Sequence, residues 1–314
     1  MGADMKWLIG ILVVLAALAG VAWYALLDAD APATAPNEFD LAAYRSLVAS
    51  DAPETLPTDV RIEFVGASEA PSFATEAGNF SGERTMTYAS FEIVAPGGNI
   101  IIDGAVDEPT LRQMAGDEGR FSAESYARVL DAMKQSSLVL ITHEHLDHVM
   151  AVARNPEPAT LAPHLRLTQA QLAGLPEHAP NGQLAPEIAS ITPSDFNTPT
   201  RIAPGVVVAA APGHTAGTVV IYVRGASHEY LFIGDIAWTI DSVRDARGRP
   251  RFITWIMPGV DPDRPAVLRQ LRALHEISTA EPDLIILPAH DDAYLRGRIA
   301  EGALHEGFIA SPAN

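Results

Sequence analysis

The sequence predicts a mixed α/β (α+β) domain of stacked layers, carried behind one membrane-spanning helix. Three observations predict it. Apolar runs of strand length alternate with segments of helical period. A Pro96-Gly97-Gly98 turn joins two early strand-like runs. A stretch of 21 uncharged, mostly apolar residues, Trp7 to Leu27, stands near the N-terminus. Strands mixed with helices fit layered α/β packing rather than a helical bundle, and 314 residues suffice for a sizeable core.

Taken in order, Trp7–Leu27 spans about 32 Å as a helix, the thickness of a hydrocarbon core. Trp7 and Trp23-Tyr24 flank it where aromatic rings favour the interface. A cleaved signal peptide is the rival reading, but its apolar run is usually only about 7–15 residues. Lys6 and the α-amino group, offset by Asp4, precede the segment, and Asp28 and Asp30 follow it. The positive-inside rule then places the N-terminus in the cytoplasm and the rest outside, periplasmic or extracytoplasmic. Residues 1–27 are therefore read as a single-pass anchor. Residues 28–37 (DADAPATAPN) are read as an extended linker, and 38–314 as one globular domain.

Within that domain Val60, Ile62 and Phe64 alternate as in a half-buried strand. Runs 88–94 and 99–102 read as a hairpin. Ser122 to Gln135 reads as a helix with Ser122 as N-cap, but Ser125 stands where a capping box needs Glu or Gln. Residues 138–141, 205–211, 219–223, 230–233 and 284–287 read as strands, and 264–277 as a helix.

Composition narrows the function. The chain has 21 Lys+Arg against 39 Asp+Glu, a net charge of −18, so it is not built to neutralise a nucleic-acid backbone. Without cysteine it has no disulfide, thiol nucleophile or Cys-ligated metal.

The chemistry collects at strand ends. Directly after the 138–141 run stands Thr142-His143-Glu144-His145-Leu146-Asp147-His148, with three histidines and one aspartate of the kinds that bind zinc and similar cations. On an extended segment His143 and His145 face one side. Three later apolar runs also end in polar residues: Pro212-Gly213-His214-Thr215, Gly234-Asp235 and Pro288-Ala289-His290-Asp291.

On THEHLDH at 142–148, GHT at 213–215, GD at 234–235 and AHD at 289–291, the chain resembles the metallo-β-lactamase-fold hydrolase superfamily over roughly residues 58 to 295. The resemblance implies a four-layer αββα sandwich with metals along one edge. It implies that His143, His145 and His214 hold one metal, that Asp147, His148 and His290 hold the other, and that Asp235 bridges them. Asp103 resembles the acid closing the family's early hairpin and is a candidate acceptor for a ligand imidazole. Asp147 is the candidate catalytic residue, orienting the nucleophile and passing a proton to the leaving group.

The cofactors expected are two divalent ions, zinc first, with iron or manganese as alternatives. The expected reaction is attack by a metal-bridging hydroxide on a small-molecule ester, lactone, thioester or amide-type bond. The alternatives are a β-lactamase-like or phosphoester hydrolase on the same site, a flavodiiron-like oxidoreductase, or a non-catalytic metal-binding sensor. GHTAGT, PAHD and a carboxylate at 235 look most like the glyoxalase II and acyl-homoserine-lactone lactonase branches. Trp238 stands where those lactonases carry Tyr. Trp238, Phe252 and Trp255 are candidates to line a pocket above the metals. His164, His178, His228, His275 and His305 read as surface residues.

Overall fold

The computed structural model describes residues 3–35 and 38–309. The α-amino group, linker residues 36–37 and the domain's last residues, 310–314, lie outside the described residues.

Two sheets form the centre. The first runs β12 (His305–Glu306), β1 (Asp59–Pro71), β2 (Glu83–Val94), β3 (Ile100–Ile102), β5 (Leu138–Leu140), β6 (Leu165–Arg166), with β4 (Arg120–Phe121) against β1. The second runs β11 (Leu284–Pro288), β10 (Glu229–Gly234), β9 (Val219–Arg224), β8 (Val206–Ala210), β7 (Thr200–Ala203). The predicted hairpin is β2 and β3, antiparallel, with Phe91 opposite Ile102.

Alternation along each strand builds the layers. Val206 and Val208 turn inward with Ile221, Phe232 and Leu287 to meet Ile62, Phe91, Ile93 and Ile102 of the other sheet. Val207, Ala209, Tyr222 and Leu231 turn outward under Val267, Leu271 and Leu274 of the helix Arg264–Ala280. Ile101, Val139 and Ile141 turn outward from the first sheet under Val129 and Met133 of the helix Ala123–Gln135 and Val149 and Val152 of Leu146–Ala153. These are the four layers, α, β, β, α, that the resemblance implied. Ser122 caps its helix by accepting from Ser125 N at 3.1 Å, and Ser125 answers with its hydroxyl, 2.9 Å from that of Ser122, in place of a capping box.

The N-terminal helix, Ala3–Leu26, includes a 22-residue stretch, Met5–Leu26, long and apolar enough to cross a membrane. Its side chains are almost all exposed, Val13 and Leu18 among them. The segment after it differs from the free spacer its composition predicts. Ala31 N donates to Ala246 O (2.9 Å), Gly248 N donates to Ala29 O (2.8 Å), and Asp28 and Asp30 pair with Arg251 (2.9 Å) and Arg247 (2.8 Å). Ala29 and Ala35 are buried. The arginines that hold this segment lie more than 200 residues away in sequence, so local composition gives no sign of them.

Candidate metal centre

Strand ends at one edge of the sandwich deliver every candidate ligand. After β5, Thr142 donates its N–H to Asp103 Oδ1 (2.7 Å) and its hydroxyl to Oδ2 (2.9 Å), which ties the 142–148 loop to the end of the β2–β3 hairpin. Asp103 is left-handed (φ 64°), a conformation Asp tolerates better than most residues. His145 is the N-cap of Leu146–Ala153, so Asp147 and His148 occupy that helix's first turn, where a carboxylate meets the positive end of the dipole. The loop after β8 carries His214, and Val219 N donates to Thr142 O (2.8 Å), holding the two loops together. Gly234 precedes Asp235 at φ 49°, and a Cβ there would stand 2.8 Å from Thr142 Cβ, so no other residue fits this approach. His290 follows β11.

Two groups result. His143, His145, His214 and Asp235 offer ligand atoms within 4.8 Å of one another, and so do Asp147, His148, His290 and Asp235. All seven candidate residues converge, and Asp235 belongs to both groups. Its Oδ2 faces His143 Nε2 (3.7 Å) and His214 Nε2 (3.5 Å), while Oδ1 faces His148 Nε2 (3.4 Å) and His290 Nε2 (3.0 Å).

The remaining ring nitrogens are committed elsewhere. His290 Nδ1 donates to Thr87 O (2.7 Å), His148 Nδ1 to Asp103 (2.9 Å) and His214 Nδ1 to Asp261 (2.9 Å). A carbonyl or carboxylate only accepts, so each of these rings turns Nε2 toward its group. The nitrogens then crowd: His214 Nε2 lies 2.9 Å from His145 Nδ1, and His148 Nε2 lies 3.3 Å from His290 Nε2. Asp235 Oδ1 is buried and accepts no hydrogen bond. Lone pairs facing one another around a buried orphan oxygen suit divalent cations, and the N/O donor set suits zinc, iron or manganese.

Electrostatics separate the two groups. Burial, then the neighbouring His148, hold His143 well below the usual imidazole pKa. Burial and His214 push His145 down to about 4. Burial opposes charge on His148, but Asp103, Asp235 and Asp147 outweigh it and raise its pKa well above the ordinary value. His290 is raised in the same way, chiefly by Asp235. Burial also opposes ionisation of Asp235, and His290, His148 and His143 overcome it, so the carboxylate stays charged.

Several functional neighbours escape sequence reasoning. Asp261 is buried between His214 and Arg249, and Arg249 with His214 overcomes burial to bring its pKa to about 2. Arg249 also donates to Asp235 O (2.9 Å) and stacks 4.7 Å over the Trp238 ring. Trp238 Nε1 donates to Asp235 Oδ2 (2.7 Å). Glu144 points away from the ligands and accepts from Thr215 Oγ1 (2.8 Å) and Gly217 N (3.1 Å), bracing the His214 loop. Asp261 and His214 are 47 residues apart, and no spacing rule pairs them.

A cavity of about 560 Å³ opens over the ligands, with Met114, Leu146, Trp238 and Met257 in its wall. Trp238 lines it as expected. Phe252 and Trp255 do not, because their helix, Arg251–Ile256, turns Trp255 outward beside Tyr24. His178, read as a surface residue, also lines the cavity, half-buried and bonded through Nε2 to Glu144 O (3.0 Å).

A family model described as "Metallo-beta-lactamase superfamily" matches residues 87–290, which contain all seven candidate ligands. Proteins described as "Probable metallo-hydrolase" from Mycobacterium bovis and Mycobacterium tuberculosis are each 28% identical over 186 residues, 51% of this chain. The chain spans 56%, little more than half, of the length of these curated relatives. Among solved structures, a quorum-quenching N-acyl homoserine lactone lactonase superposes with TM-score 0.55 at 14% identity, covering 79% of this chain and 96% of its own. A probable metal-dependent hydrolase from Staphylococcus aureus superposes with TM-score 0.55 at 16% identity, covering 75% and 91%. At such identities these two speak to the fold.

Proposed function

The chain belongs to the metallo-β-lactamase superfamily, and from that premise we propose a membrane-anchored hydrolase that uses two divalent cations to open an ester, lactone, thioester or amide-type bond of a small molecule. The observation that carries the reading is Asp235, one carboxylate with an oxygen toward each of two groups of ligands. His143, His145 and His214 would hold one cation, Asp147, His148 and His290 the other, and Asp235 both. When bound, such cations supply Lewis acidity toward a carbonyl oxygen and activate water at neutral pH.

The chain's own residues do the rest. Asp103, Thr87 and Asp261 each fix one imidazole in the tautomer that presents Nε2. Trp238 Nε1 holds Asp235 Oδ2 in place, and Arg249 packs on the indole face. Asp147, partly exposed in the cavity wall, is placed to take a proton and return it to a leaving group. Where lactonases of this superfamily carry a tyrosine hydroxyl, the indole of Trp238 has its only donor already committed to Asp235. Substrate carbonyl orientation therefore falls to other groups. The apolar wall, with Glu144, Asp147 and Glu177 at the cavity, favours neutral acyl substrates over phosphodiesters. The helix Ala3–Leu26, with its exposed apolar surface, supports anchoring, and Lys6 before the apolar run favours the domain on the extracytoplasmic side.

The test is hydrolysis by the full-length, metal-loaded protein of a panel of lactones, thioesters, p-nitrophenyl esters, a β-lactam and bis(p-nitrophenyl) phosphate, before and after chelation. Chelator-sensitive cleavage of carbonyl substrates, lost in His143→Ala and Asp235→Ala, is expected. Parent-rate turnover by either variant would overturn the reading.

A further inference from the structure

An exposed apolar segment links the end of the N-terminal helix to the wall of the metal cavity. The helix Arg251–Ile256 packs beside the last turns of Ala3–Leu26: the Arg251 guanidinium stands 4.2 Å over the Tyr24 ring, and the Trp255 ring lies 6.4 Å from it. Arg251 is pinned there by Asp28 at 2.9 Å. Trp255, Ile256 and Met257 follow in sequence and are 53%, 56% and 44% exposed. Three consecutive large apolar side chains in water need a reason. Here Trp255 stands beside Tyr24, near the end of a helix whose residues 5–24 are all exposed. On the other side, a Cβ at Gly78 would lie 3.4 Å from Leu27, and two residues on, Phe80 is 69% exposed.

The same segment runs into the cavity. Met257, Pro258, Gly259 and Val260 line it, and a Cβ at Gly259 would stand 3.8 Å from His145 Nε2. Gly259 is four positions on from Trp255, at most about 14 Å of extended chain. Met114 and Leu146 continue the apolar wall.

Resting on the anchored-hydrolase reading, we propose that Trp255, Ile256 and Met257 dip into the headgroup–acyl boundary of the bilayer that holds Ala3–Leu26, so that the cavity opens at the membrane surface and takes an amphiphile whose apolar tail enters from the lipid. The occupant of the exposed segment is a phospholipid bilayer. Its apolar side chains continue the surface of a helix of membrane length, and the cations beside them, Arg247 and Arg251, are already paired with Asp30 and Asp28. The substrate class is a long-chain ester, thioester, lactone or amide with its reactive carbonyl near the polar end.

The experiment uses the full chain in phosphatidylcholine vesicles, plain or brominated at acyl carbons, and compares the parent with Trp255→Phe. The emission that Trp255 contributes, parent minus variant, is expected to be strongly quenched in brominated vesicles. An equal contribution in both vesicles would place Trp255 in water and overturn the proposal. In the same vesicles, Trp255→Ser with Ile256→Ser is expected to leave p-nitrophenyl acetate turnover within about twofold and to lower dodecanoate turnover about tenfold. Equal effects on the two esters would overturn the substrate class. If the parent cleaves neither ester, the long-chain ester falls as the substrate, and the quenching still decides where the segment lies. If the chain does not float with vesicles, the anchor and this proposal fall together.

Discussion

The two halves of the candidate metal centre share Asp235 yet differ in their electrostatic surroundings. Around His143, His145 and His214 the further acid is Asp261, and Arg249 neutralises it, so burial wins and the imidazoles His143 and His145 stay uncharged. Around His148 and His290 stand Asp103 and Asp147 with no guanidinium among their close partners, and these rings are pulled toward the cationic form. Burial biases His143 and His145 toward the neutral form that a cation takes, whereas the nearby carboxylates bias His148 and His290 toward a protonated form that a cation would have to displace. A shared ligand does not make equivalent sites, because the residues behind the ligands set the proton balance.

The hardest way to break the comparison is to remove what the halves share. Asp235→Ala is expected to abolish tight loading of both ions and to lower turnover by on the order of 10³-fold or more, read by elemental analysis and initial rates. Next, Asp261→Asn strips the charge behind His214 and leaves Arg249 buried without a counter-charge. Affinity of the first half should fall about 10–100-fold, with the second half retained. Stability should fall by about 3–5 kcal/mol, measured by denaturant titration. Loss of the second ion instead would reverse the assignment.

The pH dependence sharpens the contrast. Because the pKa values of His148 and His290 are raised in the metal-free protein, affinity of the second half should rise with pH until those groups are neutral, with proton release on binding. In the first half, His143 and His145 should offer no competing proton until pH approaches about 4, where His145 protonates. Calorimetry at pH 6 and pH 8 in buffers of different ionisation enthalpy reads both. The smallest expected effect is Trp238→Phe, which removes one hydrogen bond to Asp235 Oδ2 and should slow turnover by about tenfold or less while both ions stay bound.

Most of the site was legible in the sequence because each ligand ends an apolar run, and strand ends converge wherever two sheets stack. THEHLDH, His214, Asp235 and His290 are local signals of that kind. The Arg249–Asp261 pair was not legible, since both lie in loops with no periodicity and meet His214 only through the fold. The segment 28–32 misled for the same reason: Ala, Asp and Pro read as spacer until Arg247, Arg251 and Arg264 supply partners from the far end of the chain. Trp255, a sequence candidate for the pocket wall, packs against Tyr24 instead, a contact that no local pattern signals.

The central claim is a pair of cations held on either side of one carboxylate. Anomalous scattering from crystals grown with zinc tests it most directly. The account predicts two peaks flanking Asp235, one among His143, His145 and His214 and one among Asp147, His148 and His290. A single peak, or none, in zinc-replete crystals would contradict it.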